Sequence, residues 1–157
     1  MTQLSVDGRT LLDWLNTEQD NMLALLGELV NIDSNSFDKA GVDRVADRLA
    51  EFFDEQSIPH ETIPIATHGD AMRAVVAGGN GNRPILLCGH RDTVFPTGEV
   101  EKRPFEMRNG RAYGPGVADM KPGLVINAFI LAAFNKFGGH PNPLVGLFTG
   151  DEEIGSP

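Results

Sequence analysis

Two short apolar runs with an apolar helical pattern between them constrain this chain most. Pro84–Cys88 carries Ile85, Leu86, Leu87 and Cys88 without a polar interruption, and Leu144–Thr149 is a second run of the same kind. Runs this short, bounded by Gly and Pro, have the length of strands rather than helices. Between them Ile126, Phe129, Ile130, Ala133, Phe134 and Phe137 form one helical stripe. Leu124, Val125, Ala128, Leu131 and Ala132 make the other side apolar as well, so the helix is expected to be buried and to end at Gly138-Gly139. The Ile85 run, apolar at every position, is expected to be a central strand buried on both faces.

Upstream, the pattern begins as helix. Leu11, Leu12, Leu15, Met22, Leu25, Leu26 and Leu29 predict a helix from Thr10 to about Ile32. From Asp38 to Gln56, Val42, Val45, Ala46, Leu49, Phe52 and Phe53 follow the i, i+3, i+4, i+7 template, with Asp43, Arg44, Asp47, Arg48 and Glu51 facing away. Pro59 closes that helix. Glu61–Ile65 and Met72–Ala77 then read as strands, punctuated by His68-Gly69-Asp70 and residues 78–82. Asn109-Gly110 between Phe105–Arg108 and Arg111–Tyr113 is a hairpin signal. Helices, then strands, then a strand–helix–strand unit describe an α/β fold, a mixed sheet flanked by helices. No internal repeat interrupts it.

Composition narrows the partners. The chain has 157 residues, 22 Asp and Glu against 13 Lys and Arg, and a net charge of -9. That balance argues against nucleic acid and anionic membranes as partners and suits cations. One cysteine, Cys88, excludes an internal disulfide framework and a multi-cysteine zinc site. Cys88 is expected to be a buried strand thiol, and Trp14 a partly buried helix anchor. Met1–Thr10 lacks the cationic-then-apolar pattern of a signal peptide, and apolar runs such as Ala128–Phe134 fall far short of the roughly 20 residues of a membrane span. The expectation is a soluble, cytoplasmic protein.

Three polar clusters sit where strands end or a helix begins, the places where open α/β sheets bind ligands. His90-Arg91-Asp92 follows the Ile85 strand. In extended chain, residues i and i+2 point to one side, so Asp92 can accept a hydrogen bond from one imidazole nitrogen while the other binds a metal. A capped turn with a surface histidine would give the same pattern, and His68-Gly69-Asp70 repeats it in a loop. The Gly-rich stretch Tyr113–Gly123 precedes the apolar helix, but Lys121 stands between Met120 and Pro122 rather than before Ser or Thr, which argues against a phosphate loop. Asp119 there repels phosphate and attracts metal, or serves only as a helix N-cap. Asp151-Glu152-Glu153 follows the Leu144 strand and is either a solvated acidic loop or a ligand beside a general base. One histidine with several carboxylates suits zinc or manganese, and a shared carboxylate can hold two ions roughly 3.5–4 Å apart.

Leu87–Val94, Tyr113–Gly123 and Thr149–Ser156 together resemble the aminoacylase and glutamate carboxypeptidase family of co-catalytic zinc hydrolases, in the family's order and spacing. The resemblance implies a zinc-exopeptidase-like layer fold and two zinc ions, with another divalent metal such as manganese or cobalt as an alternative. It implies that His90 ligates one zinc, Asp119 bridges both and Glu153 ligates the other. Asp92 would orient the His90 ring, and Glu152 would be the general base, taking a proton from the attacking water and passing it to the leaving nitrogen. It also implies a cis peptide after Asp119. The substrate class would be a small peptide or N-acyl amino acid, and a homo-oligomer is left open.

The chain departs from the family in two respects. Many relatives have Arg where Pro115 stands, and Pro115 resembles the glutamate carboxypeptidase branch more closely. A further carboxylate ligand, a distal histidine and a lid or dimerisation domain have no counterpart after Glu153. Residues 1–157 are therefore expected to be a partial catalytic domain, incomplete at the C-terminus and inactive alone. The alternative is a non-catalytic remnant or interaction module that keeps the first half of the fold.

Overall fold

A computed structural model describes residues 8–79, 83–138 and 140–157. Gly139, of the helix-ending pair, lies outside them. The chain begins with helices α1 (Gly8–Thr17), α2 (Gln19–Val30) and α3 (Lys39–Glu55). The single helix expected over Thr10–Ile32 is thus two. The Thr17 hydroxyl donates back to the Trp14 carbonyl and the Glu18 amide to the Leu15 carbonyl, which closes a tighter turn at the junction. The stretch between Leu15 and Met22 is also polar, so no apolar stripe holds one continuous helix there. α3 matches its expected span, and the Asp38 side chain accepts from the Gly41 amide as N-cap.

Strands β1 (His60–Ile63), β2 (Ala71–Val76) and β3 (Ile85–His90) follow, then the short α4 (Glu99–Lys102). The hairpin β4 (Glu106–Arg108) and β5 (Arg111–Tyr113) turns at Asn109 and Gly110, whose φ values of 53° and 71° fit the left-handed residues of a type I′ turn. Helix α5 (Lys121–Phe137) leads into β6 (Leu144–Thr149), and η1 (Glu152–Ile154) is one 3₁₀ turn. Among the described residues the main sheet has the order β1-β2-β6-β3, with β3 parallel to β6 and the other pairs antiparallel. It is the expected mixed sheet.

Its two faces differ. Met72, Ala74 and Val76 lie opposite Phe148, Gly146 and Leu144, and all but the glycine belong to the buried core with Leu49, Phe53, Leu124, Ala128 and Leu131. The small pair Ala74 and Gly146 lets α5 approach, and a Cβ at Gly146 would meet Leu131 Cδ1 at 2.8 Å. Trp14 packs its ring against Phe129 and Phe137, as the partly buried anchor expected of it. On the opposite face Arg73, Leu86 and Cys88 are exposed, and Val75, Val145 and Leu147 are half-buried.

This corrects three expectations. Among the described residues β3 lies at one edge of the sheet, not at its centre, and β2 and β6 are the inner strands. Ile85 and Leu86 keep 40% and 51% of their surface in solvent, and Cys88 is exposed. Helix α5 is not buried all round: Phe129 and Ala133 of its first stripe are buried, as is the side formed by Leu124, Val125, Ala128, Leu131 and Ala132, but Ile126 is 54% exposed. A uniformly apolar run records a strand suited to cover on both faces, and cover comes from other elements, which the run does not encode.

Candidate metal centre

The parallel pairing of β3 with β6 sets His90 beside Thr149, and the Arg91 amide donates to the Thr149 carbonyl to extend the ladder. Both strands therefore release their polar clusters at one end of the sheet. Helix α5, which returns the chain to the start of β6, begins at that same end. Asp119 comes just before it, and the Asp119–Met120 peptide is cis. Gly116, at φ 73°, shapes the approach, because a Cβ there would meet Thr93 Cγ2 at 2.8 Å.

One ligand atom each from His90, Asp119 and Glu153 lies within 4.8 Å of the others. His90 Nε2 is 3.1 Å from Asp119 Oδ1 and 3.6 Å from Glu152 Oε2. The other ring nitrogen, Nδ1, faces the Asp92 carbonyl at 3.0 Å and Asp92 Oδ1 at 3.3 Å. With Nδ1 turned to Asp92, Nε2 is the ring nitrogen that faces the two carboxylates, and it is the atom that would bind a metal once its proton is displaced. The centre is graded in exposure: His90 is buried, Glu153 half-buried and the Asp119 side chain 75% exposed.

Asp92 is fully buried and gathers donors from three segments. Besides the His90 ring it accepts from Ser36 Oγ at 2.6 Å, the Glu152 amide at 3.2 Å and the Glu153 amide at 3.1 Å. Burial alone would raise its pKa, but the bonds from His90, Ser36 and the two amides outweigh burial and hold it below the usual value. Burial likewise pushes the His90 imidazole down, and its bonds to Asp92 and Asp119 overcome that, raising it to about 9. Glu153 is raised, first by burial and then by Asp119, Asp92 and Glu152, against the pull of His90. Clustered carboxylates beside one imidazole form a site whose charge a divalent cation would relieve.

Two buried cations support the frame. Lys121 Nζ donates to the Leu29 and Ile32 carbonyls at 2.8 and 2.7 Å, tying the first residue of α5 to the end of α2. Burial lowers it to about 8, with Asp33 opposing. Arg91, fully buried, donates from Nη1 to the Val42 carbonyl, while its Nε and Nη2 have no hydrogen-bond partner among the described residues. Burial lowers it to about 10 against the nearby charges of Asp43, Asp70, Asp92 and Asp47.

His68 and Asp70 stand outside the cluster. Asp70 pairs with Lys39 and accepts the Ile65 amide, and His68 Nδ1 meets Thr67 Oγ1. Sequence reasoning missed Ser36, 56 residues from its partner Asp92, and the bracing role of Lys121. No local pattern signals either.

The model of peptidase family M20/M25/M40 matches residues 86–157, which hold the whole cluster. Carboxypeptidase G2 of Pseudomonas sp. (strain RS-16) is 31% identical over 146 residues, 88% of this chain and 34% of that protein. Acetylornithine deacetylase of Edwardsiella ictaluri is 31% identical over 148 residues, 88% of this chain and 38% of that one. The chain thus spans about a third of the length of these relatives. Among solved structures, human carnosine dipeptidase 1 superposes with a TM-score of 0.79 at 17% identity, over 94% of this chain and 35% of that one, and shares its fold. The M20 metallo-carboxypeptidase Sso-CP2 of Sulfolobus solfataricus gives 0.73 at 24% identity, over 86% and 32%. Ordered motifs, fold and sequence agree: residues 86–157, just under half of the chain, match peptidase family M20/M25/M40.

Proposed function

We propose that this chain is part of the catalytic domain of a zinc-dependent hydrolase that cleaves the amide bond of a peptide or an N-acyl amino acid. The convergence of His90, Asp119 and Glu153, with Glu152 beside His90, carries the reading. The donor set fits the ion: imidazole and carboxylate are zinc ligands, and the Asp92 contact leaves Nε2 of His90 free to bind it. His90 and Asp119 would hold one ion, and Asp119 and Glu153 a second; manganese or cobalt suits the same donors. When bound, such ions polarise the substrate carbonyl and lower the pKa of water. Glu152, 3.6 Å from His90 Nε2 and with a side chain 58% exposed, would accept a proton from the attacking water and pass it to the leaving nitrogen. Asp92 holds the His90 ring, and the amides of Glu152 and Glu153 fasten the general base and the third ligand to that same carboxylate.

On this reading each ion has two protein ligands among the described residues, where catalytic zinc normally has three. The chain alone therefore binds metal weakly and turns over poorly. The test is calorimetry with zinc beside assays of N-acyl amino acids and dipeptides. Weak binding without robust turnover is expected. No binding at all would remove the site, and two tightly held ions with fast hydrolysis would contradict the incomplete ligand set.

A further inference from the structure

We propose that Ser36 is a positioning residue for the metal centre, acting through Asp92: its hydroxyl sets the rotation of the carboxylate that holds the His90 ring. The inference rests on reading His90, Asp119 and Glu153 as metal ligands. An ionised carboxylate has about four acceptor positions. In Asp92 three are filled by hydrogen bonds and the fourth faces the His90 ring. Oδ1 faces His90 Nδ1 at 3.3 Å and accepts the Glu152 amide at 3.2 Å. Oδ2 accepts the Glu153 amide at 3.1 Å and Ser36 Oγ at 2.6 Å. The Ser36 bond is the shortest of the three and has the length of a charge-assisted O–H···O⁻ bond.

Ser36 is itself fixed. Its amide donates to the Thr93 carbonyl at 3.3 Å, and the Thr93 amide donates to the Ser34 carbonyl at 2.8 Å. Asn35 bridges to Thr93 and donates from Nδ2 to the Phe95 carbonyl at 3.0 Å. The segment between α2 and α3 is thus laced to the strand exit that carries His90, and Ser36 points its hydroxyl across that seam. Both Ser36 and Asp92 are buried, at 2% and 0% exposure, so no solvent replaces the bond when it is lost. Without it Oδ2 keeps only one donor, and the carboxylate can turn away from His90.

The same loop offers a control. Ser34 is equally buried, at 2%, and its hydroxyl has no hydrogen-bond partner among the described residues. Ser36→Ala and Ser34→Ala each remove one buried hydroxyl two residues apart, and only the first touches Asp92. Zinc and cobalt affinities are measured on the full chain by calorimetry, and the cobalt absorption spectrum reports ligand geometry. Loss of a group that orients a ligand costs about 10–100-fold in affinity. Ser36→Ala is expected to lower affinity about tenfold and shift the cobalt bands, with Ser34→Ala unchanged. In an Asp92→Asn background, Ser36→Ala is expected to add less than about twofold, because its effect runs through Asp92. Should Ser36→Ala fail to fold by circular dichroism, Ser36→Cys carries the test. A fall of at least about threefold for that weaker donor supports the proposal, and an unchanged affinity overturns it. Equal losses in Ser36→Ala and Ser34→Ala, or wild-type affinity and spectrum in folded Ser36→Ala, also overturn it while leaving the metal reading intact. A wild-type chain that binds neither ion removes that reading, and the proposal with it.

Discussion

His68-Gly69-Asp70 and His90-Arg91-Asp92 share one pattern and differ in everything around it. The first lies between β1 and β2. There Asp70 serves Lys39 and the Ile65 amide, its own amide donates to Asp43, and His68 meets a neighbouring threonine. The second leaves a strand paired in parallel with β6, and its aspartate collects the amides of Glu152 and Glu153 from the neighbouring exit. The spacing lets an aspartate sit behind a histidine. What makes a candidate metal site of it is a second strand ending at the same level with acids of its own.

The largest expected effect separates the motifs directly. His90→Ala is expected to lower zinc affinity by at least about 100-fold, since even groups that only orient a ligand cost about 10–100-fold. His68→Ala is expected to change it by less than about twofold. Calorimetry on the two variants checks both. Equal losses would break the comparison.

Next is the pair Asp92→Asn and Asp70→Asn. An amide at position 92 turns a donor toward groups that already donate, inside a fully buried site, and removes the partner of buried His90. Denaturant unfolding is expected to show a loss of about 3–5 kcal/mol there. Asp70 sits in a partly exposed ion pair with Lys39, and its loss is expected to cost about 1 kcal/mol. A smaller loss at 92 than at 70 would place the supporting network on the wrong motif.

How much of this was legible varies along the chain. α3 was readable because its apolar stripe and Asp38 cap are local, and the hairpin because Asn109 and Gly110 suit the left-handed turn. The clustering of His90, Asp119 and Glu153 was visible as motif order and family spacing. β3 was misplaced because exposure at Ile85 and Leu86 depends on which elements stand beside the strand. Ser36 was invisible because its partner lies 56 residues away and no periodicity links them.

His90 is raised from 6.5 to about 9 in the metal-free chain, so zinc must displace a proton from it at neutral pH. Zinc affinity is expected to rise about tenfold per pH unit from about pH 7 to 9 and to flatten above that. For folding the sign runs the other way. A raised folded value means the stabilisation from His90 is full below about 6.5 and is lost as pH rises through about 9. Asp92, held low, contributes above its unfolded value and loses its contribution as pH falls through its folded one. Titrations at several pH values check the slope, which His68→Ala is expected to leave unchanged.

The smallest effect lies on β3 itself. Leu86 is half in solvent on the strand whose far end carries His90. Leu86→Lys is expected to change stability by less than about 0.5 kcal/mol in denaturant unfolding, because the side chain is already half in solvent. Zinc affinity is expected to stay at the wild-type value.

Anomalous diffraction at the zinc edge, from crystals grown with excess zinc, would locate the ion relative to His90, Asp119 and Glu153. A peak bonded to His90 Nε2 and Asp119 is expected, with Glu153 coordinating that ion or a second one beside it. A peak at His68 and Asp70, or no peak near His90 at saturating zinc, would contradict a metal centre at His90.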